Sequence, residues 1–366
     1  MAGLFPPQTR DWALPSEAPL TPAAAERLAR EAAVQSFANA GRALGRDWGR
    51  VLDGTQVRRW AEALGRSAVR RRGREVVELE RGVRPAAPAN GPALLVVEVD
   101  GGRVQERDED PDTNSRWHED KVCTVTTYLP GDGRPAEDGG RPPRPLVTTH
   151  VATMGKTGAF GRLCRVEAER RGLRQAAQVL ALGDAGNWID PLLAREFRGY
   201  ARIVDWRHAQ EHLWDVARAA CADGGGGGGA DPAAVAAMAE PLEALLWDGR
   251  VADVIARVAA ESQRAGPPRD DDGKEHPRRV LAQNVGYFTT HGPHMDYPEY
   301  RRRGWPIGSG VVESGVKQFN RRVKGSDQFW NEDGVEPILA VRGLWLSQDE
   351  RWDAYWLSRP AYEKPT

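Results

Sequence analysis

Ala93-Leu94-Leu95-Val96-Val97-Glu98-Val99-Asp100-Gly101-Gly102 is the stretch that decides the architecture. Its apolar run is broken only by Glu98, the pattern of a strand buried on both faces. It closes on an aspartate and two glycines, a turn composition. Strands of this kind belong to α/β sheets covered by helices, in which neighbouring strand ends converge on one crevice. An acid at such an end is placed for chemistry.

Working downstream, residues 122–129 and 146–153 alternate and are rich in β-branched side chains, so they complete a three-stranded meander. Residues 161–172 read as a helix, 178–182 as a strand closing on Gly183-Asp184, 188–197 as a helix, and 201–204 as a strand closing on Asp205. The order β-β-β-α-β-α-β predicts an α/β fold with a ribonuclease-H-like core, a mixed five-stranded sheet with flanking helices. The catalytic core would span 93–206 and resume at 306–358. Between them, 207–305 reads as an all-helical insertion, interrupted by a glycine tract at 224–229 that suits a flexible tether. Helices over 311–323 and 335–346 follow, and 359–366 is a C-terminal tail.

Upstream, residues 1–20 read as disordered or extended and 21–85 as a helical region. Thr21 before Pro22 suits an N-cap, and Leu28, Ala32, Phe37 and Ala40 recur near helical spacing. The turn at Leu52-Asp53-Gly54-Thr55 before Gln56-Val57-Arg58-Arg59-Trp60 outlines a helix-turn-helix-like DNA-binding element, an outline shared by many ordinary helix pairs. Pro85, Pro88 and Pro92 mark a linker at 86–92.

The chain has 366 residues, 40% of them hydrophobic and 28% charged, enough for a sizeable core. The N-terminus carries Pro6, Pro7, Arg10 and Asp11 where a secretory signal needs an apolar run, so a cytoplasmic, nucleoid-associated location is expected. Three widely spaced cysteines exclude a disulfide framework and a Cys-based zinc site. The net charge of −1 offers no global attraction to nucleic acid, but basic residues cluster at Arg66, Arg70, Arg71, Arg72 and Arg74, and again at Arg301, Arg302, Arg303, Lys317, Arg321, Arg322 and Lys324. The second cluster surrounds Glu313 and is expected to contact DNA phosphates.

Phosphodiester cleavage needs an activated oxygen nucleophile and a stabilised leaving oxygen, and two divalent ions can provide both. Hard ions take carboxylate oxygens. Asp100 and Asp184, each followed by small residues, stand at the ends of the first and fourth strands, and Glu313 begins a helix expected to cross the sheet. These three are the candidate catalytic and metal-binding residues, with two Mg²⁺ or Mn²⁺ ions per site. Asp205 competes with Asp184 for the second position, and the glycines flanking Asp184 favour the latter.

Val99-Asp100-Gly101, Leu182-Gly183-Asp184-Ala185, the segment from Asp205 to Trp214, and Pro306-Ile307-Gly308-Ser309-Gly310-Val311-Val312-Glu313-Ser314-Gly315 resemble the landmarks of the DDE insertion-sequence transposases of the Kra group. The resemblance runs from about Thr21 to Trp356, and its last two segments are the most specific. It implies a ribonuclease-H-like core whose third acid follows a helical insertion, double-stranded DNA as partner (the element's terminal repeats and the target), and a homodimer on paired ends. The chain departs from the family in its shorter N-terminal region and in a less basic stretch from Lys324 to Trp330.

Two other readings compete. His208-Ala209-Gln210-Glu211-His212 matches the H-x-x-E-H pattern of a zinc metallopeptidase, which needs a third ligand such as Glu240 or Glu243. Otherwise His208 and His212, with Asp205, are accessory positions beside the carboxylates. The third reading is a transposase-derived protein that binds DNA without cutting it. Met154-Gly155-Lys156-Thr157 lacks the upstream glycine of a P-loop. Of the thirteen tryptophans, Trp188, Trp206 and Trp305 are candidates to stack on an unpaired base.

Overall fold

A computed structural model describes residues 20–109, 114–222, 230–325 and 328–358. The expectations for residues 1–19, the tether at 224–229 and the tail at 359–366 lie outside the described residues. Five strands, β1 (Leu94–Gln105), β2 (Trp117–Leu129), β3 (Arg144–Thr153), β4 (Val179–Gly183) and β5 (Ala201–Val204), form one sheet in the order β3-β2-β1-β4-β5. β2 is antiparallel to both of its neighbours, whereas β1, β4 and β5 run parallel. This mixed sheet with flanking helices is compatible with a ribonuclease-H-like fold.

β1 does not stop at Asp100. It continues through Gly101 and Gly102 because β2 pairs along its whole length, down to Gln105 opposite Trp117. Only the parallel pairing with β4 ends early, at Glu98 opposite Leu182. β2 likewise begins before the alternation at 122, since its polar residues Asp120 and Lys121 are buried.

Alternation along β1 assigns its two faces. Leu95, Val97 and Val99 face α4 (Thr157–Arg170) and α5 (Ile189–Glu196), packing with Phe160, Cys164, Leu192 and Leu193. On the opposite face, Leu94 and Val96 pack with the inserted helices: α6 (Trp206–Ala220), α7 (Pro232–Trp247), α8 (Val251–Ala265), α9 (Pro277–His291) and α10 (Tyr297–Arg302). Val104 and Val122 on that same face meet Val312, Val316 and Phe319 of α11 (Gly310–Val323).

α1 (Pro22–Val34), α2 (Phe37–Asp47) and α3 (Gly54–Glu80) share this last core with α11 and α12 (Glu332–Leu346), and α13 (Arg351–Leu357) closes its edge through Trp352. The Thr21 side chain caps α1 through the Ala24 amide, and Asp53 caps α3 through that of Thr55. The helical N-terminal region is thus built into the common core. Arg71 and Arg72 of its basic run are used internally: Arg72 donates to the Ala152 carbonyl at 2.8 Å and pairs with Glu336, and Arg71 pairs with Glu75 at 3.5 Å. Among the described residues no helix is long and apolar enough to cross a membrane.

A tight joint lies between α3 and α12, where a Cβ on Gly65 would lie 2.6 Å from Pro337 Cβ and closer still to its carbonyl oxygen. Both helices would have to separate to admit it. Gly65→Ala is expected to destabilise by about 1–3 kcal/mol through overpacking. Thermal unfolding would show this as a lowered Tm, and an unchanged Tm would mean the joint is compliant.

Candidate active site

Strand register brings the candidate acids together. β1 and β4 pair from Leu95 with Val179 to Glu98 with Leu182, so the same offset continued past Glu98 sets Asp100 opposite Asp184. β4 and β5 pair as far as Gly183 with Val204, and one further step sets Asp184 opposite Asp205. Adjacent strands lie ~4.8 Å apart, so the three aspartates form a row across the ends of the parallel strands. Gly183 lets α5 pack close, because a Cβ there would sit 2.7 Å from Ile189 Cγ2. Ala185 then takes a left-handed φ of 61°, an uncommon conformation for a residue with a side chain, and the chain turns sharply. Asp184 Oδ1 accepts from the Gly186 amide in that turn at 2.9 Å.

The fourth acid arrives after the insertion. Asp205 is 2% exposed, and both of its oxygens are engaged. Oδ1 accepts from the Arg207 amide at 2.6 Å, capping α6, while Oδ2 accepts from the Ser309 amide at 2.9 Å and from the Ser309 hydroxyl. The Trp206 amide also donates to the Ile307 carbonyl at 2.9 Å. These bonds hold the segment before α11 against the end of β5, and α11 begins one residue later. Gly315 lets that helix lie flat, since a Cβ there would approach Thr124 Cγ2 to 3.2 Å. Glu313 stands in the first turn of α11, its side chain 42% exposed and 3.5 Å from Lys317 Nζ.

The electrostatics express the crowding. Burial raises the Asp100 carboxyl to about 6, and the charges of Asp184, Glu313 and Asp205 push the same way, against a hydrogen bond from the Gly101 amide. Two acids that sequence reasoning passed over lie on the same sheet face. Glu98 is fully buried and raised to about 8, chiefly by burial. Its Oε2 accepts from the Thr124 hydroxyl at 3.0 Å, and Oε1 has no hydrogen-bond partner among the described residues. Asp120, opposite Gly102, is likewise fully buried with both oxygens unpartnered, and burial raises it to about 6. The signal for Glu98 was its intrusion into an apolar run; Asp120 left none, because it sits in a polar stretch.

The space beside Asp100 differs from expectation. Glu119 and Asp120, not open room for a DNA backbone, occupy the sites vacated by the side chains of Gly101 and Gly102, with Glu119 Oε1 2.9 Å from a Cβ built on Gly101. Among the described residues, no three His, Cys, Asp or Glu side chains converge closely enough to hold an ion as placed. The oxygen donors nevertheless suit a hard divalent cation, whose charge would relieve the repulsion around Asp100.

No protein-family model matches the chain, and no curated protein does. Among solved structures, the chain is similar to one in the Drosophila P element transposase strand transfer complex, at 9% sequence identity and a TM-score of 0.35, over 89% of this chain and 93% of that one.

The remaining candidates divide by burial. Lys317, Arg321 and Lys324 are exposed on or just beyond α11. Arg322 is not: it is 2% exposed, and its Nε donates to the Ala32 carbonyl at 2.6 Å, so it cannot join them in contacting DNA from the surface. Arg302 and Arg303 both pair with Glu299, and Arg301 lies over the Trp247 ring at 3.7 Å and donates to the Trp247 carbonyl. Trp206 packs edge-on against Trp247 and Tyr297, Trp305 stacks on Tyr300, and Trp188 donates to Glu119, so all three have internal partners.

His212 Nδ1 lies 2.7 Å from Asn284 Oδ1, and its ring stacks on Tyr287 at 3.7 Å, while His208 sits 3.4 Å from Glu211. Glu243, a proposed third zinc ligand, accepts from Trp214 Nε1 at 2.6 Å. Tyr287, from α9 of the insertion, feels the charges of Asp184 and Asp205, and burial raises its hydroxyl far above the usual range. The histidines therefore belong to an aromatic wall beside the acids.

The acids should separate by role when neutralised. Asp100→Asn removes a half-buried, repelled charge and is expected to raise Tm. Asp205→Ala removes the acceptor of Ser309 and the cap of α6 and is expected to cost roughly 2–4 kcal/mol. Thermal unfolding of both variants decides it, and a drop in Tm for Asp100→Asn would show that this carboxylate is a structural bond instead.

Proposed function

We propose that the protein cuts and joins DNA strands as a DDE-type transposase, with Asp100, Asp184 and Glu313 as its catalytic carboxylates. The observation that carries this reading is the strand register that sets half-buried Asp100 opposite Asp184 at the ends of β1 and β4, with Glu313 in the first turn of α11 acting on Asp100 through its charge. Like charges drawn from such distant segments gain nothing for stability by lying on one side of the sheet, and their grouping supports a site that takes up positive charge. Asp205, with both oxygens engaged by amides and Ser309, is the positioning member of the row.

Asp100, Asp184 and Glu313 would hold two Mg²⁺ or Mn²⁺ ions, which when bound supply Lewis acidity to the attacking and leaving oxygens. In hydrolysis, a water oxygen bonds to phosphorus and the bond to the 3′ oxygen breaks, freeing a 3′ hydroxyl. In joining, that hydroxyl oxygen bonds to a target phosphorus and another 3′ oxygen leaves. Exposed Lys317, Arg321 and Lys324 would steer the phosphates along α11. The partner is double-stranded DNA, the element's terminal repeats and the target, bound by a homodimer at the nucleoid in the cytoplasm.

Purified protein with Mg²⁺ or Mn²⁺ is expected to nick DNA carrying the repeats that flank its gene, and to join the freed ends to a second duplex. Asp100→Asn, Asp184→Asn and Glu313→Gln should each reduce this roughly 100-fold or more while leaving DNA affinity intact. Activity that survives in all three variants ends the assignment, and binding without any cleavage by the parent chain would favour a DNA-binding protein that does not cut. Alanine at Lys317, Arg321 or Lys324 should lower the slope of log affinity against log salt by about 0.9 per lost phosphate contact.

A further inference from the structure

A cavity of about 370 Å³ lies beyond the far end of β1, lined by Arg58, Arg107 and Arg322 with Phe37, Phe329 and Trp330. None of the carboxylates described above lines it, and Arg107 is roughly 20 Å along the chain from Asp100 at strand rise.

Its central oddity is Arg322. The residue is 2% exposed, its Nη2 has no hydrogen-bond partner, and no carboxylate pairs with it among the described residues. Burial lowers it to about 9, and neighbouring Arg342 pushes the same way. Arg342 makes a useful contrast, since its three nitrogens all donate to carbonyls of Ala33 and Gln318, an internal structural role. Arg322 spends only Nε in this way, on Ala32, and two rings hold its plane: Phe37 at 4.6 Å and Trp330 at 5.3 Å. A buried guanidinium that lines the cavity and has a nitrogen without a partner among the described residues is short of an anion there.

The surroundings favour the same charge. Ser36 and Phe37 begin α2, Thr55 lies in the first turn of α3, and Asn331 precedes α12 without capping it by its side chain. Three helix N-termini therefore meet at this cavity, and their dipoles favour negative charge there. Glu62 is the one acid among the described lining residues, and Arg58 lies 3.8 Å from it. At the mouth, Phe329 is 41% exposed, a large ring in water with a flat face available for stacking.

We propose that this cavity binds a nucleotide unit, with its phosphate on Arg322 and Arg107 and its base stacked on Phe329. The phosphate satisfies the open guanidinium nitrogen, and stacking needs no particular base. The unit could come from a single DNA strand or from a free nucleotide, since both present the same phosphate and ring.

Calorimetric titration of the whole chain with dTMP, thymidine, inorganic phosphate and a 5′-phosphorylated thymidine hexamer tests this. dTMP is expected to bind, and thymidine not. Phe329→Ala should weaken dTMP roughly tenfold while leaving phosphate unchanged, and Arg107→Ala should weaken both. These two side chains lie at the exposed rim, so the folded core is spared, and Asp100→Asn should leave dTMP affinity at the parent value, which separates this site from the nuclease reading. A hexamer tighter than dTMP identifies a strand as the source; equal affinities identify the free nucleotide. The proposal is overturned if dTMP does not bind, if phosphate alone binds, or if Phe329→Ala leaves dTMP affinity unaltered.

Discussion

The carboxylate of Asp205 holds the two halves of the molecule in register. It receives two amides of α6 on one oxygen and Ser309 on the other, joining positions separated by the entire helical insertion. Bringing the ends of such a segment together costs on the order of 4 kcal/mol of chain entropy. Hydrogen bonds to a charged group, at roughly 1.5–3 kcal/mol each, are of the size required to offset it. Because the bond is made to the last residue before α11, it sets where that helix starts, and hence where Glu313 stands relative to the sheet.

Around that fixed point the protein accumulates charge that its stability does not need. Asp100 and Asp120 are held near 6 and Glu98 near 8, all principally by burial, and the oxygens of Asp120 are without partners among the described residues. Unpaired buried acids are among the more expensive features a fold can carry. Their concentration on one face of β1 and β2, opposite α11, contrasts with Glu167 elsewhere in the core, whose carboxylate is fully paired with Arg351 and Arg170 and held low. The same fold thus contains acids built as bonds, Glu167 and Asp205 among them, and acids left available.

A comparable contrast holds among the arginines. Arg342 and Arg351 stitch helices together and use their donors internally, whereas Arg322, which lines a cavity where three helices begin, has a nitrogen without a partner among the described residues. The N-terminal helices contribute one wall of that cavity and also one layer of the main core, so they cannot move independently of α11 and α12.

Local pattern determined a great deal. The order of strands and helices, the Thr21 cap, the acids closing β4 and β5, and the helix beginning near Glu313 were all readable, because each depends on a few consecutive residues and a side-chain period of about 2 or 3.6. What sequence could not supply was long-range. That Gly101 and Gly102 admit Glu119 and Asp120, that Asp205 is consumed by Ser309, that Glu98 and Asp120 join Asp100 on one face, and that Arg322 of a basic run points inward are all consequences of strand register and of which helix lies on which face. A charged residue in a polar stretch looks the same from the sequence whether it meets water or a core. Only the packing of distant segments decides which, because burial and charge pairing are properties of neighbours in space.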